Sequence, residues 1–262
     1  MKTVFFGSEK FEPLYISALK KAGHEIVKIA ESPDLGIIAY YGKIIPKKIL
    51  EIPKYGFINI HPSLLPKYRG PSPVRSVILA GDKKTGVTIH ITIPKVDAGP
   101  IIAKKEFSIN PEDNYEILEE KLFIEGANIL PDAIENWISG KIIPREQNDS
   151  EATYTKIFKT EDGHIDWSKT PEEILRLIRA LSPNPGVFIF WGAKRLLILK
   201  ASLEISVHKY KFGEVIKDDD GFKIASKNGF LIPKLIKLEG KKETTPEEFL
   251  RGHKSILFSI LS

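Results

Sequence analysis

Asn59 and His61 stand two residues apart at the end of the apolar run "GFINI". If that run is a β-strand, period-two alternation sets both side chains on one face at its carboxyl end. An amide there can donate a hydrogen bond to a carbonyl oxygen, and an imidazole, which titrates near neutral pH, can take or give a proton. Such a pair suits a carbonyl under nucleophilic attack; the plainer alternative is two polar residues capping a strand end. Prolines 62, 66, 71 and 73 follow in "PSLLPKYRGPSP". They predict a rigid, extended loop whose backbone N–H and C=O groups stay free for a ligand, although a plain connector can have the same composition. A third group, Asp97 in "KVDAGP", follows the alternating run "VTIHITI". It reaches the pair only if the two strands are neighbours, in which case its carboxylate holds the imidazole in one tautomer and raises its proton affinity. Alone, such a loop is an ordinary turn.

Other motifs exclude chemistry. "FFGSEKF" has one glycine where a dinucleotide fingerprint needs three, and no Walker-type G-K-[ST] is present, so a nucleotide cofactor is unsupported. His24, His90, His164, His208 and His253 lack metal-ligand spacing, so they read as surface or strand histidines and no metal site is expected.

The elements that must position these groups alternate in type. "KTVFFG" reads as a buried strand, "EPLYISALKKAG" as an amphipathic helix closed by Gly23, "HEIVKIAE" as a second strand and "LGIIAYYG" as a third. "IIPKKILEI" predicts a short helix, "YGFINIH" a strand, and "NYEILEEKLFIEGANILPDAIENWISG" a long helix in which Pro131 marks the place for a kink. The order predicts an α/β class with a doubly wound, mainly parallel sheet. In "TGVTIHITI", Val87, Ile89, Ile91 and Ile93 share one face, and Thr88, His90 and Thr92 the other, which is expected to be less buried. From "PREQNDSEATYTK" to "EDGHIDW" the pattern turns polar and reads as a linker, dividing the chain into residues 1–150 and 151–262. "TPEEILRLIRALSP" is then a helix with Thr170 as N-cap and Pro171 in its first turn, and the short strands after it predict a small antiparallel barrel.

Composition permits both domains a core: 262 residues, 42% hydrophobic, with no cysteine. The absence of thiols suits a reducing compartment, and no run has the length of a signal-peptide core or a membrane span, so a cytoplasmic protein is expected. Residues 151–262 hold 19 Lys or Arg against 15 Asp or Glu, out of 39 against 34 in the chain, so most of the +5 net charge lies there.

"NIHPSLLPKYRGPSP", with Asn59, His61 and the later Asp97 in "DAG", resembles the signature of the folate-dependent formyltransferases. "IRALSPNPGVFIFWGAKRLLILKA" and "KLIKLEGKKETTPEEFLRG" are similar to the C-terminal domain of the members of that family that act on methionyl-tRNA. The resemblance covers almost the whole chain. It implies a Rossmann-like formyltransferase domain followed by an OB-like β-barrel, 10-formyltetrahydrofolate as co-substrate, and the α-amine of initiator methionyl-tRNA as acceptor, in a monomer of one catalytic and one tRNA-binding domain. By the family pattern Asn59, His61 and Asp97 are catalytic, Ser63, Leu64, Leu65 and Pro66 line the folate site, and Tyr41, Gly42 and Ile44 offer backbone to the pterin. The chain departs from the pattern between "HEIVKIAE" and "LGIIAYYG", where a basic insertion that enters the tRNA acceptor arm is missing. Phosphate contacts then fall to Lys194, Arg195, Lys200, Lys234, Lys237, Lys241 and Lys242, which otherwise form a solvated lysine face. Two further readings stand beside this one: a sugar-nucleotide N-formyltransferase, which the missing insertion permits, and a noncatalytic RNA-binding protein on an enzyme scaffold.

Overall fold

A computed structural model describes residues 1–262. The chain forms two compact units, Met1–Val77 with Asp82–Ile157, and Ile78–Gly81 with Phe158–Ser262.

In the first unit the chain runs through β1 (Lys2–Gly7), α1 (Glu12–Lys21), β2 (Glu25–Ile26), β3 (Leu35–Ala39), α2 (Lys47–Leu50), β4 (Phe57–His61), α3 (Pro73–Ala80, of which residues 78–80 fall in the second unit), β5 (Lys84–Ile91), β6 (Ile101–Ser108) and α4 (Tyr115–Ile138). The sheet order is β2-β1-β3-β4-β5-β6. The first four strands are parallel, as the alternation of elements predicts, whereas β5 and β6 run antiparallel to their neighbours. The expected doubly wound sheet is therefore mixed. The sequence reading missed β6, because "IIAKKEFS" carries charge on an exposed edge strand and lacks a continuous apolar signal. The strand expected over "HEIVKIAE" shrinks to two residues at the opposite edge.

Each side of the sheet has its own core. Leu35, Ile37, Ile58, Ile60, Val87 and Ile89 pack with Tyr15 and Leu19 of α1 and with Phe123, Ala127 and Leu130 of α4. On the other face Val4, Ile38 and Phe57 gather Phe6, Tyr41, Ile45, Ile49 and Leu50. Since Phe57 lies on this second face, Asn59 and His61 do too. The expectation that the Thr88 and His90 face of β5 is the less buried one fails: Thr88 is 0% and His90 1% exposed. That face is covered at Thr88 by the Pro-rich loop, whose Ser63 carbonyl and Leu65 N–H bond to the Thr88 hydroxyl, and at His90 by the turn between β5 and β6, which carries Asp97 across it.

α4 starts at an Asn114 cap, whose side chain accepts from the Ile117 N–H at 2.9 Å, and it continues as one helix across Pro131. It lies close on the sheet at Gly126, where a methyl group would come within 2.7 Å of both Ile60 Cγ2 and the Tyr15 hydroxyl oxygen.

The second unit contains α5 (Pro171–Leu181), β7 (Phe188–Trp191), β8 (Lys194–Ile205), β9 (Val215–Asp218), β10 (Gly221–Ser226), β11 (Gly229–Leu238), β12 (Glu243–Thr244) and α6 (Pro246–Gly252). Thr170 caps α5 in a capping box with Glu173, as its sequence predicts. The sheet is antiparallel throughout, ordered β7-β8-β11-β10-β9 with β12 on β11. Residues 258–262 bond at both of its ends, the Phe258 N–H to Val215 O at 2.8 Å, and the Phe190 N–H to Ser262 O at 2.6 Å. No helix in the chain is long and apolar enough to cross a membrane.

Replacing Gly126 by Ala is expected to destabilise the first unit by about 1–3 kcal/mol through overpacking. A thermal midpoint unchanged from wild type would show that α4 does not depend on this close approach.

Candidate active site

The antiparallel pairing of β4 with β5 sets Asn59 opposite His90 and His61 opposite Thr88, all on the face away from α1 and α4. The turn after β5 then lays Asp97 over that face. Gly99 makes the return possible, because a Cβ there would fall 1.7 Å from Ile91 O. Asp97 itself sits at φ +48°, a left-handed conformation uncommon for residues other than glycine. Its Oδ2 accepts from the Gly70 N–H at 2.8 Å and lies 3.6 Å from His61 Nδ1, while Oδ1 accepts from Asn59 Nδ2 at 3.2 Å and lies 3.6 Å from His90 Nε2. The structure thus brings Asn59, His61 and Asp97 together and adds His90.

His90 was read from sequence as an ordinary strand histidine. Its ring bonds through Nδ1 to Ile91 O at 3.0 Å and through Nε2 to Asn59 Nδ2 at 3.2 Å. With Nδ1 protonated, Nε2 accepts, so the Asn59 amide nitrogen gives its two hydrogens to His90 and Asp97. The sequence reading assigned Asn59 a donor role toward substrate. In this geometry its Oδ1 is the atom left over, and Asn59 is the least buried of Asn59, His61 and His90. The signal that could have found His90 is its place on the same period-two face as Thr88 and Thr92.

The tautomer of His61 is set from an unexpected side. Nε2 bonds to Tyr68 O at 2.9 Å, which requires the proton on Nε2 and leaves the Nδ1 lone pair directed toward Asp97. Burial pushes the His61 pKa down, and it outweighs the opposing Asp97 carboxylate and Tyr68 carbonyl. Asp97 acts in the expected direction, raising the proton affinity of His61, but burial exceeds it. Asp97 is the converse case: burial raises its pKa, but the two imidazoles and the Gly70 N–H together hold it well below the usual carboxylate range.

The Pro-rich loop differs from its expectation. Ser63 and Leu65 are fully buried, and Leu64 and Pro66 partly so. The loop's backbone is largely spent internally: Ser63 O accepts from Thr88 Oγ1, Leu65 N–H donates to the same hydroxyl, Leu64 O accepts from the Lys67 N–H, and Leu65 O accepts from Lys104. Free backbone lies instead after β3. Residues 41–45, which include Tyr41, Gly42 and Ile44, make no backbone hydrogen bond. Gly42 and Ile44 are exposed, while the Tyr41 ring packs against Phe6 at 5.4 Å. This stretch follows the carboxyl end of β3, where the strand order reverses beside β1, the usual ligand position in an open α/β sheet. On the Asn59 face the Thr92 hydroxyl is buried and without partner.

A second polar group stands at the same edge. Lys10, after β1, pairs with Glu119 at 2.8 Å, Tyr40 shares a hydrogen bond with the Tyr115 hydroxyl at 3.2 Å, and Arg75 covers the Tyr115 ring at 3.7 Å.

In the second unit the basic residues do not form one cluster. Lys194 and Arg195 begin β8, and the Glu239 N–H bonds to Arg195 O just before the turn that carries Lys241 and Lys242. These four mark one end of the β8–β11 pair, and Lys241 and Lys242 line a concavity of about 410 Å³ with Phe249 and His253. Lys200 and Lys234 lie farther along, at the register shift between the strands; Lys234 is paired with Asp220, and Lys237 sits opposite Glu243.

The fold and this cluster define a class that comparison bears out: residues 3–134 match the formyl transferase family, and residues 157–254 match the formyl transferase C-terminal domain. The chain belongs to the formyl transferase family, among the methionyl-tRNA formyltransferases. It is 41% identical over 223 residues to the methionyl-tRNA formyltransferase of Thermodesulfovibrio yellowstonii, covering 85% of this chain and 71% of that one. Its identity to the Bacillus pumilus enzyme of the same name is 40% over 232 residues, covering 87% and 73%. Among solved structures, HypX from Aquifex aeolicus in complex with tetrahydrofolic acid superposes with a TM-score of 0.69 at 21% identity, covering 96% of this chain and 47% of that one, and so shares the fold.

An imidazole titration followed by NMR is expected to place the His61 midpoint below its ordinary 6.5, since burial favours the neutral ring. Asp97→Asn should move it lower still by removing the one facing carboxylate. A midpoint at or above 6.5 would mean that Asp97 outweighs burial.

Proposed function

We propose that the protein transfers the formyl group of 10-formyltetrahydrofolate to the α-amine of initiator methionyl-tRNA, with Asn59, His61 and Asp97 as the catalytic residues. The observation that carries the site assignment is the meeting of an amide, a neutral imidazole and a charge-stabilised carboxylate on one buried face. Folate supplies the activated one-carbon unit. The open backbone of residues 41–45 fits the donor and acceptor edge of a pterin, with Tyr41, Gly42 and Ile44 presenting it. Leu64 and Pro66, partly exposed, are available to line the same ligand, and Ser63 and Leu65 hold that wall in place from beneath.

In this reading the amine nitrogen bonds to the formyl carbon while the lone pair of His61 Nδ1 takes its proton; the imidazolium so formed faces Asp97 and gives that proton to the folate nitrogen as the bond from that nitrogen to the formyl carbon breaks. Asn59 Oδ1 accepts an N–H of the incoming amine and fixes its approach. Asp97 holds both partners, so that much of the acceleration comes from positioning.

The second unit, read as an OB-like barrel, would carry the tRNA, giving a catalytic domain over residues 1–150 and a tRNA-binding domain over 151–262. Support for closure comes from residues 258–262, which bond to the β7 and β9 sides of the sheet. Lys194, Arg195, Lys241 and Lys242 offer the densest positive charge at one end of it, and Lys200, Lys234 and Lys237 would add separate phosphate contacts farther along.

The test is formyl transfer from 10-formyltetrahydrofolate to charged initiator tRNA, with an amino sugar nucleotide run in parallel. Activity on tRNA is expected, and His61→Ala should lower kcat by roughly 10²–10⁴-fold. Transfer to the sugar nucleotide alone would overturn the acceptor, and RNA binding without any transfer would overturn the enzyme. Reversing the charge of Lys241 and Lys242 together should weaken tRNA binding and flatten its salt dependence; unchanged affinity would remove them from the interface.

A further inference from the structure

Residues 145–155, which read from sequence as a linker, are bonded to both loops that build the site. Toward the Pro-rich loop, the Arg69 N–H bonds to Thr153 O at 2.9 Å, the Thr155 N–H to Arg69 O at 2.8 Å, and the Tyr68 N–H to Thr153 Oγ1 at 2.8 Å. Toward the Asp97 turn, Arg145 and Ile101 exchange backbone bonds of 2.9 and 2.7 Å, and Asp149 pairs with Lys95. Two side chains touch both loops: Asp149 also pairs with Arg69 Nη1, at 2.8 Å, and Gln147 reaches the main chain of Asp97 itself. Gln147 Oε1 accepts from Arg69 Nη2 at 2.8 Å and Nε at 3.1 Å, and its Nε2 donates to Asp97 O and Gly99 O, each at 2.8 Å.

The chemistry of that side chain fits its place closely. A primary amide has two donor hydrogens and one oxygen able to accept twice, and all four are in use here. The Arg69 guanidinium is fully buried, with Asp149 and the Tyr154 hydroxyl as its remaining partners, so it is a fixed post. Through Gln147 that post holds the carbonyl of the one residue whose backbone is in the left-handed region and whose carboxylate faces His61 and His90. The same strap fixes Tyr68, whose carbonyl selects the His61 tautomer.

We propose that Gln147, anchored on Arg69, is a positioning residue that sets Asp97 against His61 and Asn59. The proposal rests on the reading of those three as the reacting groups. Gln147→Glu is the informative change, because a carboxylate keeps Arg69 paired while losing both donors and setting negative charge against the Asp97 and Gly99 carbonyls. Gln147→Asn, which keeps the amide but is one methylene too short to span both loops, should act in the same direction. Asn148→Ala, which removes only contacts within the strap to Ser150 and Glu151, serves as the control.

In Gln147→Glu, kcat for formyl transfer should fall about 10- to 100-fold, with the KM for each substrate changed less than about threefold, the mark of lost alignment and not lost binding. The His61 imidazole, faced by Asp97 and His90, should titrate at a lower pH than in wild type as the carboxylate moves off, while Asn148→Ala should leave the midpoint in place. A Gln147→Glu protein with the wild-type midpoint and wild-type kcat, or one altered only in thermal stability as the control is, would overturn the proposal. Should the wild-type chain transfer no formyl group to methionyl-tRNA, the functional reading falls, and the imidazole titration still decides whether Gln147 positions Asp97.

Discussion

One carboxylate organises the first unit. Asp97 is mostly buried, and a buried charge is tolerated only where donors and opposite charge replace the water it has lost. Its four partners come from three separate places: Gly70 from the Pro-rich loop, Asn59 and His61 from β4, and His90 from β5. Gly70, Asn59 and His61 are all 27 or more residues from Asp97 in the chain, so the loops and strands that supply them must be held in register for the charge to be met at all. The left-handed backbone at Asp97 and the close approach at Gly99 are the local costs of bringing it over the sheet.

The mixed sheet is what makes that possible. β5 ends beside Ile58, at the amino end of β4, so the chain that follows it must come back over the sheet to reach Asn59 and His61. Running antiparallel, β5 pairs His90 directly with Asn59, and the turn into β6 needs only to fold back over the face to deliver Asp97. Parallel strands β1 and β3 meanwhile leave a reversal of strand order with free main chain after β3. The two halves of the sheet divide the work: one holds a compact group of interacting side chains, and the other leaves a stretch of peptide open to a flat partner.

Much of this was legible in the residues themselves. The apolar runs of β1, β3 and β4, the cap and first-turn proline of α5, and the shared face of Asn59 and His61 follow from alternation and end-signals that act over a few residues. What could not be read depends on pairing across the chain. β6 looks like a charged connector because its outward face is solvated; His90 looks ordinary until its neighbour across the ladder is known; and Gln147 lies in a polar stretch whose contacts are all at long range. The net direction of the His61 shift is hidden for a related reason, since the raising effect of a neighbouring carboxylate follows from a motif but the depth of burial that exceeds it does not.

The loop after β3 has a consequence for how such a site drifts over generations. If a partner is read there through peptide groups, then Gly42, Lys43 and the almost fully solvated Ile44 contribute shape and not identity, and their side chains are free to change. Only a substitution that removes an amide hydrogen or bends the path of the chain would be noticed, so variation at these positions would say little about whether the pocket still works.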